Sequence, residues 1–113
     1  PFGGRTEFGP YEVDNMSGVE FFTTELLPCQ PNPSQGNTSI AFNLGRSGMA
    51  TLEIYDVAGR LVRTLLKGEK PEGPSSVIWD GCNDTGHRLG AGTYFYRLQT
   101  KSGETTRKML LVR

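Results

Sequence analysis

Apolar and polar residues alternate along several short stretches of the chain, and turn-forming residues separate these stretches. In Thr38–Leu44, the apolar residues Ile40, Phe42 and Leu44 occupy one face, while small or polar residues occupy the other. A period of two is typical of a β-strand that buries one face. Further strands are predicted at Val19–Thr24, Met49–Val57, Arg60–Leu66, Ser76–Trp79, Thr93–Thr100 and Thr105–Val112.

One stretch also fits a helical period. Within Gly59–Lys67, the side chains of Leu61, Leu65 and Leu66 would share one face of a helix, but the flanking glycines and the short length favour a strand. Strands at spacings of roughly 10–15 residues predict an all-β fold, an antiparallel β-sandwich of about seven strands. The predicted core consists of Ile40, Phe42, Leu44, Leu52, Ile54, Val77, Trp79, Tyr94, Tyr96, Leu98, Met109 and Leu111.

Residues 1–18 contain few aliphatic side chains, which favours extended backbone. Residues 1–27 are therefore predicted to form an extended tail with one strand, Val19–Thr24. The chain opens on Pro1 rather than on methionine, so we expect a processed product or an excised fragment. Pro28–Pro33 contains three prolines and predicts a stiff connector. Residues 28–113 are therefore predicted to be one domain.

The net charge and the length of the longest apolar run indicate which partners the chain is not expected to bind. The 113 residues include 12 Lys and Arg and 12 Asp and Glu, so the formal net charge is zero. A neutral chain has no general electrostatic attraction for nucleic acid or anionic lipid, and we expect neither as a partner. The longest apolar run, Met109–Val112, is far shorter than the ~20 residues that span a bilayer, so no membrane span is predicted.

Few residues offer catalytic chemistry. The chain has one histidine, His87, and its two cysteines do not form a C-x-x-C motif. It contains no nucleophile elbow, P-loop or H-E-x-x-H motif, so we predict no catalytic, cofactor or metal site and no enzyme. Asp80-Gly81 and Asp84-Thr85-Gly86 resemble an oxygen-rich calcium loop, but their spacing is wrong, which favours turn chemistry. His87 is expected to be exposed in this loop.

Aromatic residues allow two interpretations. Trp79 is expected to fill space between the sheets rather than to stack on a ligand. Tyr55, Tyr94, Phe95 and Tyr96 would form a surface strip for carbohydrate or pack against neighbouring strands, and cross-strand packing is favoured.

Several motifs together suggest a family. They are Pro31-Asn32-Pro33, the run from Leu52 to Leu65, Trp79-Asp80-Gly81, the run from Gly90 to Leu98, and Arg107-Lys108-Met109. In order and spacing they resemble the Ig-like domain of the flagellar hook-capping protein and its relative, the carboxy-terminal sorting domain of type IX secretion. The resemblance covers about residues 28–113. It implies an Ig/fibronectin-III-like sandwich, located outside the cytoplasm of a bacterium and without catalysis of its own.

The two cysteines are predicted to form a disulfide. If the first four strands of the domain alternate in direction, Cys29 and Cys82 fall at the same pole of the sandwich. An even number of cysteines in a small, exported domain then favours a Cys29–Cys82 bond over two free thiols in a reducing cytoplasm.

Three asparagines match the N-x-[ST] glycosylation motif, and they are Asn15, Asn37 and Asn83. They are candidate glycosylation sites if the chain is exported.

The leading functional prediction is an extracellular or cell-surface structural module that self-associates through its N-terminal extension. Its expected partners are other copies of itself and cell-surface or secretion machinery. The candidate self-association residues are Phe2, Phe8, Tyr11, Val13, Val19 and Phe21. The alternatives are a carboxy-terminal sorting and anchoring domain of a larger exported protein, and a carbohydrate-binding module.

Overall fold

Seven β-strands form two antiparallel sheets in the computed structural model, which describes residues 23–113. They are β1 (Glu25–Leu26), β2 (Thr38–Leu44), β3 (Gly48–Asp56), β4 (Leu61–Lys70), β5 (Gly73–Trp79), β6 (Gly92–Thr100) and β7 (Gly103–Leu111). One sheet has the order β1-β2-β5 and the other has the order β4-β3-β6-β7. The predicted all-β sandwich is confirmed, and no helix that could cross a membrane lies within the described part of the chain.

The core lies between the two sheets and consists of the alternate, inward-facing residues of the strands. Every predicted core residue except Val77 is buried, and Val77 is partly buried and packs against the others. Leu26, Cys29 and Ala50 are also buried in this core. The period of two therefore identifies the buried face of each long strand.

The stretch with the helical alternative is a strand, β4, which pairs with β3. Leu52 lies opposite Leu66 and Glu53 lies opposite Thr64, so the register shifts at Leu65. This bulge lets the consecutive residues Leu65 and Leu66 both pack against the core. The shift interrupts the alternation, which explains why the sequence there also fits a helix.

The sandwich begins earlier than residue 28. Glu25 and Leu26 pair with Asn43 and Phe42 of β2, and the side chain of Leu26 is buried. The predicted strand Val19–Thr24 lies mostly outside the described residues. Burial of Leu26 against the core makes this short segment part of the domain.

Candidate functional site

A polar loop, residues 80–89, follows β5 and lies beside the start of β4. Arg63 of β4 donates from Nη1 to Asp80 Oδ1 and to the carbonyl of Cys82, at 3.0 Å in both cases. Asp84 accepts a hydrogen bond from the backbone N–H of Thr64 at 3.0 Å. The loop is held in place by Trp79, whose Nε1 donates to the Cys82 carbonyl at 2.9 Å. Its polar groups therefore satisfy one another and the edge of β4.

In these contacts, the carboxylates of Asp80 and Asp84 accept hydrogen bonds from protein N–H groups, as acidic residues in turns do. Burial alone would raise the pKa of Asp80, but the N–H of Cys82 and the guanidinium of Arg63 lower that pKa below its usual value. The Arg63 guanidinium occupies the position that a cation would take beside Asp80. His87 is exposed, and its Nδ1 lies 2.8 Å from the Thr85 hydroxyl. In residues 23–113, no group of three His, Cys, Asp or Glu side chains comes together.

An open cleft of about 490 Å³ lies between this loop, the end of β3 and the start of β4. Leu61, Val62 and Leu89 contribute apolar surface to it. At its rim, Asp56 accepts hydrogen bonds from the backbone and side chain of Arg60, and these bonds lower the pKa of Asp56. The charged groups of Asp56 and Arg60 at the rim are thus paired with each other. The cleft therefore offers contact surface rather than an acid or a base.

Two of the four aromatic residues considered for a surface strip are buried. Tyr94 packs edge-on against Trp79, with ring centroids 5.5 Å apart. The hydroxyl of Tyr96 donates to the Leu27 carbonyl at 2.9 Å and accepts from the Cys29 N–H at 3.0 Å. Burial raises the pKa of Tyr96 to about 12. A carbohydrate strip that includes Tyr94 and Tyr96 is therefore wrong, because both face the core.

Tyr55 and Phe95 lie on the outer face of the larger sheet as cross-strand partners. Tyr55 is covered by Arg97, whose guanidinium carbon lies 4.7 Å from the ring centroid. Arg97 also pairs with Glu53 at 3.2 Å and with Glu104 at 3.7 Å, and it donates to the Tyr55 hydroxyl. This network covers the ring face that a sugar would stack on.

Both cysteines are free, so the predicted Cys29–Cys82 disulfide is not formed. The register places both near the start of β2, because Gln30 bridges Ser39 and Trp79 pairs with Thr38. However, the segment with Cys29 lies along one edge of β2 and β5 lies along the other. The segment with Cys29 and β5 are therefore two strand spacings apart, which is roughly 9–10 Å. A disulfide requires Cα atoms within about 7 Å, so a shared pole is not sufficient.

No strand of residues 23–113 pairs with the outer edge of β5. Ser39 and Ala41 of β2 accept hydrogen bonds from the β1 side, at 3.0 Å in both cases, so the alternate residues of β2 point towards β5. Their partners in β5 include Val77 and Trp79. The backbone groups of Ser76 and Ile78 therefore point away from β2, and no described strand pairs with them.

The outer edge of β7 is open over only part of its length. Leu110 donates to Asn32 Oδ1 at 3.0 Å, and its carbonyl accepts from the Ser34 N–H at 2.9 Å. The Val112 N–H donates to the Ser34 carbonyl at 2.7 Å. Residues 103–108 are all exposed, and no strand of residues 23–113 pairs with their outer edge, although β1 lies close to β7, where Arg107 binds the Leu26 carbonyl.

Some expected sites fall outside the described residues, namely all six candidate self-association residues and Asn15. Of the other candidate glycosylation sites, Asn37 is exposed. Asn83 is partly buried, and its Oδ1 accepts hydrogen bonds from Thr85 and His87. Glycosylation at these sites stays a prediction.

The model of the FlgD Ig-like domain family matches residues 31–104. This chain belongs to that family. The match confirms the resemblance to the hook-capping Ig-like domain and agrees with the two-sheet architecture of this FlgD Ig-like domain. No curated protein sequence matches the chain.

Solved structures with this FlgD Ig-like fold include components of two systems. Dimeric latent PorU from Porphyromonas gingivalis is 25% identical with a TM-score of 0.66, and the match covers 88% of this chain and 10% of PorU. PorZ, a surface component of the type IX secretion system of the same species, is 20% identical with a TM-score of 0.53, over 86% of this chain and 12% of PorZ. FlgD from Xanthomonas campestris, with a role in hook capping, is 24% identical with a TM-score of 0.51, over 77% of this chain and 65% of FlgD. The chain thus spans about a tenth of PorU, and the likeness to PorZ and FlgD is one of fold.

Sequence reasoning missed how the edges of this FlgD Ig-like domain are covered. Asn32 and Ser34 cover the end of β7, Asp84 covers the start of β4, and Arg107 donates to the Leu26 carbonyl of β1 at 2.6 Å. These contacts join residues far apart in sequence, so no local pattern predicts them. The sequence offers one signal of an uncovered edge. The first inward-facing residues of β7, such as Thr105, are polar.

Proposed function

We propose that the chain is a non-enzymatic structural module of an exported bacterial protein, and that it self-associates by donating its N-terminal segment to a neighbouring copy. The observation that carries this proposal is the uncharged edge of β5, which is unpaired among residues 23–113. Support for an exported structural or secretion-related role comes from the FlgD family match and from the fold shared with PorU and PorZ.

The β5 edge has the properties of an acceptor. Gly73–Trp79 contains no charged residue, and Ile78 is 62% exposed. Natural sheets guard edges with lysine, proline or bulges, and here Pro74 blocks only one end. An added strand would pair with the outward backbone groups of Ser76 and Ile78 and would cover the Ile78 side chain.

The N-terminal segment has the properties of a donor. Tyr11 and Val13 alternate with Glu12 and Asp14, which is the pattern of a strand with one apolar face. In strand addition, main-chain hydrogen bonds give affinity and alternate side chains give specificity. Donation to a second copy makes a heterologous contact, which repeats from copy to copy and builds an open filament.

The test compares sedimentation of three chains: the full chain, a deletion of residues 1–18 and the full chain with Ile78→Lys. The full chain is expected to form large species, and both variants are expected to stay small while keeping a cooperative thermal transition. Val57→Lys is the matched control, because Val57 is 71% exposed but lies in a turn away from β5. An unchanged sedimentation profile after the deletion would refute the proposal.

A second candidate function is a sorting and anchoring module for a larger exported protein. The observation that favours it is the likeness to PorU, which covers 88% of this chain at 25% identity. A reporter fused ahead of residue 1 should reach the cell surface in a bacterium with a type IX secretion system. Equal retention of the reporter with and without the fused chain would exclude this function.

A further inference from the structure

We propose that the open part of the β7 edge pairs with β7 of a second copy, antiparallel and centred on Thr106. This inference goes beyond the proposed function, because it uses another edge and does not involve the N-terminal segment. The two larger sheets would join into one continuous sheet across a two-fold axis, which is a closed, isologous contact.

The direction of the β7 backbone groups follows from the covered end of the strand. Leu110 binds Asn32 and Ser34 with its own N–H and carbonyl, so both groups of Leu110 face the outer edge. Successive residues of a strand point to opposite sides. Hence Lys108, Thr106 and Glu104 also direct their backbone groups outward, whereas Met109 and Arg107 face β6.

The covered end also determines how far a partner strand could pair. Asn32 and Ser34 occupy the edge from Leu110 onward, and the β6–β7 turn ends at Gly103. Arg107 is directed to the inner side, where its Nε donates to the Leu26 carbonyl at 2.6 Å. Among residues 23–113, no strand pairs with the outer edge of the stretch Glu104–Lys108.

Only one antiparallel register uses all three outward residues, and it is the one centred on Thr106. It pairs Thr106 with Thr106 and Glu104 with Lys108 of the second copy, and the reciprocal pair forms by symmetry. Shifting the strands one way brings a partner residue against Leu110, which is already bonded. Shifting them the other way places Lys108 opposite Ser102, which lies in the β6–β7 turn rather than in β7.

Charge complementarity supports the same register. Cross-strand pairs of opposite charge stabilise a sheet and like charges opposite each other destabilise it. Glu104 and Lys108 lie on the outer face of the larger sheet, since Met109 between Lys108 and Leu110 faces the core. Within residues 23–113, no ion pair involves Lys108. Glu104 pairs with Arg97 of its own chain at 3.7 Å, but its side chain is 53% exposed, so its carboxylate can also bind Lys108 of a second copy. A parallel, in-register pairing would instead place Glu104 against Glu104.

The test uses charge reversal and its compensation in the full chain. Lys108→Glu should raise the dimer dissociation constant about tenfold, because both cross-strand pairs then carry like charges. The double variant Glu104→Lys with Lys108→Glu should restore the affinity, since opposite charges again face each other. Lys101→Glu, in the exposed turn beside β7, is the control and should leave the dissociation constant unchanged. Analytical ultracentrifugation over a concentration series measures each value.

A second measurement tests the register directly. Thr106→Cys in a Cys82→Ser background should give a disulfide-linked dimer on mild oxidation, because paired Cα atoms in a sheet are about 5.5 Å apart. Ser76→Cys on the β5 edge is the control and should cross-link less. A Thr106→Cys chain that stays monomeric under these conditions would overturn the inference.

The outcomes separate this inference from the proposed function. An unchanged dissociation constant for Lys108→Glu, or a double variant no tighter than the single one, overturns pairing through β7. If association depends on residues 1–18 but not on Lys108, the N-terminal segment is the occupant and only the proposed function stands. If it depends on Lys108 but not on residues 1–18, the β7 dimer stands and filament formation through the N-terminal segment fails.

Discussion

β5 and β7 are both edge strands, and both have a buried end and an accessible stretch. β5 ends in Trp79, which is fully buried, and its accessible residues are uncharged. β7 ends in Met109 and Leu111, which are also buried, and its accessible stretch carries Glu104, Arg107 and Lys108. The two strands thus expose similar backbone groups, but the side chains beside these groups are uncharged in β5 and charged in β7.

The difference shows how two edges of one fold can select different strands. An uncharged edge accepts any strand with a matching apolar face, whereas a charged edge accepts only a strand with complementary charges. In this chain the charge order of β7 is complementary to itself when the strand is reversed. Three parts of the molecule test this comparison. They are Trp79 at the end of β5, the contacts of Tyr96 on the side of the sandwich next to β7, and Asn32 at the covered end of β7.

The largest effect is expected from removing the anchor of β5. Trp79→Ala should lower the free energy of unfolding by about 3–5 kcal/mol, because it leaves a cavity between the sheets and removes the bond to the Cys82 carbonyl. Denaturant unfolding measures the change. Trp79→Phe keeps most of the packing and is the matched control, which should lose clearly less. Equal losses for both variants would show that the hydrogen bond, rather than the ring volume, anchors β5.

A smaller effect is expected from opening the side of the sandwich next to β7. Tyr96→Phe removes the hydroxyl that bonds both Leu27 and Cys29, so the buried Cys29 N–H loses its acceptor. The loss should be about 1–3 kcal/mol by denaturant unfolding. Tyr94→Phe is the control, since its hydroxyl bonds only the nearby Gly90 carbonyl among the described residues. A Tyr96→Phe chain as stable as the parent would contradict this assignment.

Tyr96 also predicts a dependence on alkaline pH. Its pKa is raised from 10.0 to about 12 in the folded state, so above pH 10 the unfolded chain releases a proton that the folded chain keeps. Stability is therefore full below pH 10 and falls as the pH rises towards 12, by a total of about 2 kcal/mol. Thermal unfolding between pH 9 and 12 should show this slope in the parent and a weaker slope in Tyr96→Phe.

The smallest effect is expected at the covered end of β7. Asn32→Ala removes the acceptor of the Leu110 N–H, which lengthens the open edge at a cost of about 0.5–1.5 kcal/mol. Amide hydrogen exchange at Leu110 should accelerate, while exchange at Met109, which faces β6, should not change. Asn32→Asp keeps an oxygen at the same position and should preserve the protection. Equal exchange in Asn32→Ala and the parent would mean that Asn32 does not cover this edge.

Much of the fold was predictable because strand formation and burial leave a local pattern. Alternation located β2, β3 and β6 to within a residue or two, since each has one buried face. It was less informative at β4, where the bulge at Leu65 breaks the period, and at β1, which is too short to show one. The position of Trp79 in the core followed from its size and its place at the end of an alternating strand.

The candidate surfaces were harder to predict because they depend on which strands are neighbours. Placing Cys29 and Cys82 at one pole required only strand direction, but excluding their disulfide required knowing that β2 lies between their two segments. The buried positions of Tyr94 and Tyr96 follow from alternation, yet the cover over Tyr55 depends on Arg97 of β6.

By itself, the sequence determined the two-layer β fold and the inward-facing residues, because hydrophobic burial repeats every second residue along a strand. Only the tertiary structure decided which edges are covered and which are open, because the residues that cover them, Asn32 for β7 and Asp84 for β4, are distant in sequence. A hydrogen bond between an edge and a distant loop depends on how the strands are arranged in space, and no local pattern of residues encodes that arrangement.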